Sequence, residues 1–270
     1  MKSILVHIHD DHGLETRLQA ALDLTRGFGG HLTCLSNVSM VSYAAFSPFG
    51  GPYVVTGLFE ALQEQETKVR DRVEKHLAKE DVPWSFVSTT NYDDVELVGR
   101  GALNDLIVMS HANTTGDSSS TISMIGQVLT SSHTPLMLVP DKHAGFDVHA
   151  PAMIAWNGSF EAANALRAAI PLLKKSKSVV VMTINDERHA TYPATEASEY
   201  LSRHGIKSDL LQQPANGDSI EHLLRQTAHR LNAGYVVLGA FGHSRAREYW
   251  FGGVTRTMLL NSKLPLFLAR

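Results

Sequence analysis

The sequence predicts an α/β protein made of two doubly wound parallel sheets in tandem. Short apolar runs alternate with amphipathic stretches along the chain, which is the pattern of strands and helices in such sheets. The pattern also occurs twice. A chain of 270 residues is long enough for this repeat, because single domains usually have ~100–200 residues.

Ten short runs are predicted to be strands, five in each half. ILVHI, VVVMTI and YVVLGA are almost continuously apolar, which is typical of strands covered by helices on both faces of a sheet. The first five are Ser3–His9, His31–Val38, Ser85–Thr90, Asp105–Ser110 and Pro135–Val139. The second five are Ala152–Trp156, Ser178–Ile184, Lys207–Leu211, Tyr235–Gly239 and Leu264–Ala269.

Helical periodicity separates these runs. Apolar residues at helical spacing form one face in each half, namely Leu14, Leu18, Ala21, Leu22 and Thr25, and then Ala162, Leu166, Ala169, Ile170 and Leu173. A further stripe over Leu58–Leu77 predicts another helix, and Asp218 with Glu221 predicts a capping box.

The polar stretch 141–150 interrupts the apolar pattern and predicts a linker between domains at 1–141 and 151–270. The first half carries an additional apolar, Gly- and Pro-bearing segment at 39–57. Two interpretations of that segment remain open: a lid or interface element, or a loop packed on its own domain.

Composition excludes several classes of protein. A formal charge of −3 gives no basic surface for nucleic acid, so no nucleic-acid partner is expected. No run of about 18 apolar residues is present, which predicts no membrane span. A single cysteine, Cys34, rules out an intrachain disulfide, and the start of the chain lacks signal-peptide features. We therefore expect a cytoplasmic protein.

The strongest functional signal is the loop GAFGHSRAREYWFGGVT near the end of the chain. Gly239, Gly242 and Gly252 are spaced G-x2-G-x9-G between the strand YVVL and a helix predicted over Thr255–Asn261. Glycine allows close approach of the backbone, and successive N–H groups at a helix start can converge on an anion. The loop therefore indicates a phosphate site, with a tight turn that binds nothing as the alternative.

These motifs resemble those of the universal stress protein family. The glycine loop matches the family's phosphate-binding loop, WNGSFEAANALRAA resembles its first strand-to-helix junction, and LPLFLA resembles its closing strand. The resemblance implies a Rossmann-like, five-stranded parallel sheet of order 3-2-1-4-5 in each half. It also implies ATP binding, which many members perform at the carboxyl ends of the strands.

Carried over by position, the resemblance implies a nucleotide site in the second half. Ala155 and Asn157 would lie near the adenosine, Ile184 near the adenine and Gly239 near the ribose. The positions that correspond to phosphate-binding residues are Gly242, Gly252, Gly253, Val254 and Thr255. Two departures weaken this match, since Asn157 stands where ATP-binding members have Asp, and Gly253 replaces a Ser or Thr.

The first half has lost the loop glycines. Ser110, Asn113 and Ile122 stand at the three positions, so we expect no nucleotide in the usual site there. HIHDDH at residues 7–12 contains residue types that bind metal ions. Its spacing matches no defined metal motif, so polar residues at a strand end are the preferred interpretation and no metal site is assigned.

The sequence thus predicts a regulatory module of the stress response that binds ATP or another adenine nucleotide, with a divalent metal ion as an open option. No catalytic residue is assigned. A slow ATPase and a nucleotide-independent scaffold with vestigial sites are the alternatives. We also expect an intrachain pseudo-dimer through Pro135–Val139 and Leu264–Ala269, and homodimerisation stays open.

Overall fold

The computed structural model describes residues 1–37, 52–90, 93–111, 118–184, 192–240 and 253–270, which contain ten strands and eight helices. The first half runs β1 (Ser3–Ile8), α1 (Leu14–Phe28), β2 (His31–Asn37), α2 (Pro52–Leu77), β3 (Trp84–Thr89), α3 (Asp93–Gly101), β4 (Leu106–Ser110), α4 (Ser118–Ser132) and β5 (Leu136–Val139). The second half runs β6 (Ala152–Ala155), α5 (Phe160–Leu173), β7 (Val179–Ile184), α6 (Ala194–Arg203), β8 (Asp209–Gln213), α7 (Ile220–Arg230), β9 (Tyr235–Gly239), α8 (Gly253–Asn261) and β10 (Leu266–Ala269).

The strands form one continuous sheet in the order β3-β2-β1-β4-β5-β10-β9-β6-β7-β8. Within each half the order is 3-2-1-4-5 and the pairing is parallel, so the predicted fold class is confirmed. The two closing strands are neighbours, as expected. They pair antiparallel, with Met137 opposite Phe267, and this pairing covers two strand edges that would otherwise be exposed.

The antiparallel junction determines where the carboxyl edge of each half lies. We use this term for the side of the sheet at which the parallel strands of one half end. Strands of the first half run in the opposite direction to strands of the second half. The carboxyl ends of β1 and β4 are therefore at one edge of the ten-stranded sheet, and those of β6, β7 and β9 are at the other. Any ligand site at these ends belongs to one half alone.

Helices cover both faces of the sheet, because alternate strand residues point to opposite sides. In β1, Ile4 and Val6 belong to the core that also contains residues of α1, α2, α5 and α6. Leu5 belongs to the core on the other face, with residues of α3, α4, α7 and α8. Among the described residues, no helix is both long and apolar enough to cross a membrane.

Most strands differ from the predicted ranges by one or two residues, and some differences at the start of an element are of interest. Strand β8 begins at Asp209 rather than at Lys207, and α8 begins at Gly253 rather than at Thr255. Helix α2 begins at Pro52, inside the segment 39–57, and a proline is well tolerated in the first turn of a helix. The N-cap of α7 is Ser219, so the capping box predicted at Asp218 is wrong. Residues 38–51 lie outside the described part of the chain.

Candidate functional site

Three of the predicted site residues end neighbouring strands of the second half. Ala155 ends β6, Ile184 ends β7 and Gly239 ends β9, and these strands lie in the order β9-β6-β7. The register places Ala155 beside Met182 and Leu238. Their carboxyl ends therefore form one edge, which is where open α/β sheets bind ligands.

Asn157 lies in the turn between β6 and α5 and is exposed. Its Oδ1 accepts a hydrogen bond from the Ser159 backbone N–H at 3.2 Å. The Ser159 hydroxyl accepts one from the Ala162 N–H at 3.2 Å and so caps α5. Asn157 therefore shapes the entrance to α5, and an aspartate there would keep the same acceptor.

Gly239 has a packing function that the sequence prediction did not foresee. A Cβ atom on this residue would overlap the backbone of Glu161 and Ala162 at the start of α5. The end of β9 and the start of α5 can approach only because the side chain is absent. This glycine is required by the fold with or without a bound ribose.

Helix α8 begins at Gly253, after the loop that leaves the carboxyl end of β9. A Cβ atom at Gly253 would meet no described atom within 4 Å, and Val254 and Thr255 are partly buried. The first N–H groups of a helix lack intrahelical partners and carry partial positive charge, so they favour an anion. Gly242 and Gly252 lie outside the described residues.

The corresponding edge of the first half differs at two positions. Ile4 pairs with Leu106 in β1 and β4 as Ala152 pairs with Tyr235 in β6 and β9. Extending this register places Ser110 at the position of Gly239. The same correspondence, continued into the first helix of each half, places Arg17 of α1 where α5 has Ala165.

The guanidinium of Arg17 fills the carboxyl edge of the first half. The residue is 1% exposed. Its Nε donates to the His7 carbonyl oxygen at 2.6 Å, and Nη2 donates to the His9 carbonyl oxygen at 3.0 Å. Its Nη1 donates to the Ser110 hydroxyl and to the Asp11 carboxylate, the latter at 3.2 Å. One side chain thus connects the ends of β1 and β4.

Room for the Ser110 hydroxyl comes from Gly13, the N-cap of α1. A Cβ atom on Gly13 would crowd the Ser110 hydroxyl, and its next neighbour would be the Asp141 carboxylate at 2.8 Å. The glycine needed for close packing is therefore on the strand in the second half and on the helix in the first. In both halves a glycine allows the first helix to approach the end of the fourth strand closely, but the glycine is on a different element in each half.

Burial and neighbouring charges set the protonation of this cluster. Burial lowers the pKa of Arg17, while the adjacent Asp11 acts in the opposite direction. Burial raises the pKa of Asp141, and the negative charge of Asp11 raises it further. Asp11 is itself held by the Gly13 N–H at 2.8 Å and by Arg17. The first-half edge is thus occupied by the protein's own ionic groups.

Ile122 also differs from its predicted place. The sequence comparison set it opposite Gly252, in a loop, but helix α4 already begins at Ser118. Ile122 lies inside that helix and is buried in the core. Asn113 lies outside the described residues. The sequence does contain a signal for Arg17, because this charged residue lies within the apolar stripe formed by Leu14 and Leu18.

The side chains of the HIHDDH segment, residues 7–12, form ring contacts and ion pairs within the protein. The His7 and His9 rings stack at 5.9 Å between centroids. Asp10 pairs with Arg72 at 2.7 Å, and Asp11 pairs with Arg17. Within the described residues, no group of three or more His, Cys, Asp or Glu side chains is arranged to hold a metal ion.

Replacing Arg17 by methionine should destabilise the fold strongly. The change leaves the His7 and His9 carbonyl oxygens and the Asp11 carboxylate without their donor, and each buried group left unsatisfied costs about 1–3 kcal/mol. Arg100→Met is the matched control, because Arg100 is exposed and forms a helical pair with Glu96, for which about 0.5 kcal/mol is typical. Urea unfolding of both variants measures the difference. Equal losses would show that the Arg17 network does not stabilise the fold.

Replacing Asp141 by asparagine should stabilise the protein at pH 7. A raised pKa in the folded state means that ionisation of this carboxyl opposes folding, so its cost appears as the pH rises and vanishes below the ordinary aspartate pKa of ~3.9. Thermal unfolding between pH 3 and pH 7 measures the effect, with the exposed change Asp71→Asn as control. A variant less stable than wild type at pH 7 contradicts this assignment.

Comparison with solved structures identifies proteins that have a similar fold. No protein-family model matches the sequence, and no curated protein matches it. A universal stress protein from Archaeoglobus fulgidus is 13% identical, with a TM-score of 0.77 over 99% of this chain and 96% of that one. A Pseudomonas aeruginosa protein provisionally described as a universal stress protein is 15% identical, with a TM-score of 0.55 over 100% and 93%.

The same architecture also occurs in a different setting. The cytoplasmic domain of a prokaryotic cation chloride cotransporter is 12% identical, with a TM-score of 0.53 over 99% of this chain and 94% of that one. At these identities the similarity establishes the fold alone. The chain therefore has, over its whole length, the tandem fold of universal stress proteins.

Proposed function

We propose that the chain is a universal stress protein whose second half binds an adenine nucleotide, ATP in the first place, as a regulatory module of the stress response in the cytoplasm. The observation that carries this proposal is the asymmetry of the two sheet edges. The first half fills its edge with the Arg17 guanidinium, whereas the second has only the side chain of Ala165 at that position. We assign residues 1–141 to a degenerate domain and 151–270 to the binding domain.

The proposed nucleotide lies across the carboxyl ends of β6, β7 and β9, with the ribose near Gly239. The adenosine contacts Ala155, Asn157 and Ile184, which are at the carboxyl ends of β6 and β7 or in the turn that follows. The phosphates lie at the start of α8, where partial positive charge and unpaired N–H groups favour them. A divalent metal ion that accompanies the phosphates is compatible with this arrangement.

Asn157 is able to contact the ribose of the proposed nucleotide although it is not an aspartate. Its carbonyl oxygen accepts from Ser159, so the amide NH2 group supplies donors for the ribose hydroxyl oxygens. An aspartate would instead accept from those hydroxyls. This exchange keeps ribose recognition while removing one negative charge near the phosphates.

We infer binding without efficient turnover. The proposed contacts come from backbone N–H groups, from apolar side chains and from the amide and hydroxyl of Asn157 and Thr255. None of these groups is a general base at neutral pH. Slow hydrolysis would then reflect the bound water and metal ion rather than a catalytic side chain.

A nucleotide-independent interaction protein is the second candidate. The observation that favours it is that the protein's own charged groups close the first-half edge, so that half has a role other than binding a nucleotide in the usual way. Within the tandem chain it forms the β5–β10 junction with the second half.

Calorimetric titration with ATP tests the proposal. We expect one site per chain, and we expect Gly252→Val to reduce affinity at least about tenfold, since losing a hydrogen bond to charged phosphate typically costs ~1.5–3 kcal/mol. Gly253→Ser should fold normally, because a Cβ atom there meets no described atom, and should bind equally well or more tightly through its hydroxyl.

Gly99→Ser is the matched control, because a Cβ atom at this helical glycine of the first half also meets no described atom. It should leave the affinity unchanged. A folded Gly252→Val protein that binds ATP as well as wild type would show that the site is misplaced. A wild-type protein that binds no ATP, ADP or AMP would favour the interaction protein. Phosphate release from bound ATP identifies a slow ATPase.

A further inference from the structure

A groove opens between α7 and α8, on the side of the second half that is remote from the proposed nucleotide site. Its volume is about 630 Å³. It is lined by α7 from His222 onward, by the last turn of α8, by the turns that follow these two helices and by Val236 near the start of β9. Because β9 ends at Gly239 on the opposite edge, this α7–α8 groove is separate from the carboxyl ends of the strands.

The floor of the α7–α8 groove is apolar and buried. It consists of Ala228, Ala233, Val236 and Met258, which all belong to the core on this face of the sheet. Alanine side chains leave space above them, and methionine adapts its shape to what it contacts. Such a floor favours the apolar body of a small molecule, because the apolar surface of the ligand itself leaves water when it enters the groove.

The rim of the groove is cationic. Arg225 on α7 and Lys263 after α8 are exposed and come from its two walls. His222 and His229 lie three residues before and four residues after Arg225, and therefore on the same helical face. No acidic side chain is among the lining residues. Neither Arg225 nor Lys263 forms a salt bridge with any residue that the structure describes.

Glu221, in the first turn of α7, is an acidic group that interacts electrostatically with Arg225. A hydrogen bond with the Ser219 side chain lowers the pKa of Glu221, and the charges of Arg225 and His222 lower it further. The helix dipole accounts for a basic group such as His229 in the last turn of α7. It does not account for Arg225, which lies in the middle of that helix and at the rim.

We propose that the α7–α8 groove binds an amphipathic carboxylate, with the apolar body on the floor and the carboxylate at Arg225. The planar guanidinium matches a carboxylate through two parallel hydrogen bonds, and Lys263 adds charge from the facing wall. The volume of about 630 Å³ is within the range of ~300–1,000 Å³ typical of small-molecule sites. This site goes beyond the proposed nucleotide function and does not depend on it.

Sodium decanoate is the probe, used with the full-length protein in a calorimetric titration below its micellar concentration. Decan-1-ol supplies the apolar body without the charge, and acetate supplies the charge without the body. Decanoate should bind at least about tenfold more tightly than either, with or without saturating ATP. Equal binding of decan-1-ol would overturn the proposal, and so would loss of decanoate binding when ATP is present.

Two variants locate the site. Arg225→Gln should reduce decanoate affinity at least about tenfold, whereas the control Arg203→Gln, an exposed arginine on α6 paired with Glu199, should not. Gln226→Trp should also reduce affinity, because it places a large ring at the lining of the groove. Thermal unfolding verifies that each variant folds. A folded Arg225→Gln protein with wild-type affinity overturns the assignment.

Discussion

The buried guanidinium of Arg17 determines how the two halves differ. A charge removed from water must be paired and hydrogen-bonded, or its burial is prohibitively unfavourable. Arg17 meets this requirement through the carbonyl oxygens that end β1, the hydroxyl that ends β4 and the Asp11 carboxylate. Those contacts occupy the edge where a ligand of the first half would lie. The corresponding residue in the second half, Ala165, is uncharged and needs no such partners.

The β5–β10 junction lets the two edges diverge. Antiparallel pairing of the closing strands sends the carboxyl edges of the halves to opposite sides of the sheet. Changes such as Arg17 therefore alter one edge without touching the other. The first half retains a structural function, since its closing strand covers the edge of β10, which is buried throughout. A tandem chain can thus keep a second domain after that domain has lost its usual site.

The sequence predicts the elements well because strand runs and helical stripes are local patterns. Short β-rich runs predict all ten strands, whereas the strand order within each half follows from the family resemblance rather than from the residues. Long-range packing was harder to predict. The family resemblance places Gly239 near a ribose, but the close approach of α5 already requires a glycine there. The loss of the loop glycines at Ser110 and Ile122 does not predict that Arg17 fills the first-half edge. The α7–α8 groove has no sequence motif, because its floor and rim come from three separate elements.

Hydrogen–deuterium exchange of the full chain, with and without saturating ATP, tests the central claim most directly, because it reports on both edges at once. The account predicts slower exchange of the backbone N–H groups at the start of α8 and in the turn at Asn157. Exchange around Gly13 and Ser110 should be unchanged, since Arg17 occupies that edge. Protection at Gly13 and Ser110, or none at the start of α8, would contradict it.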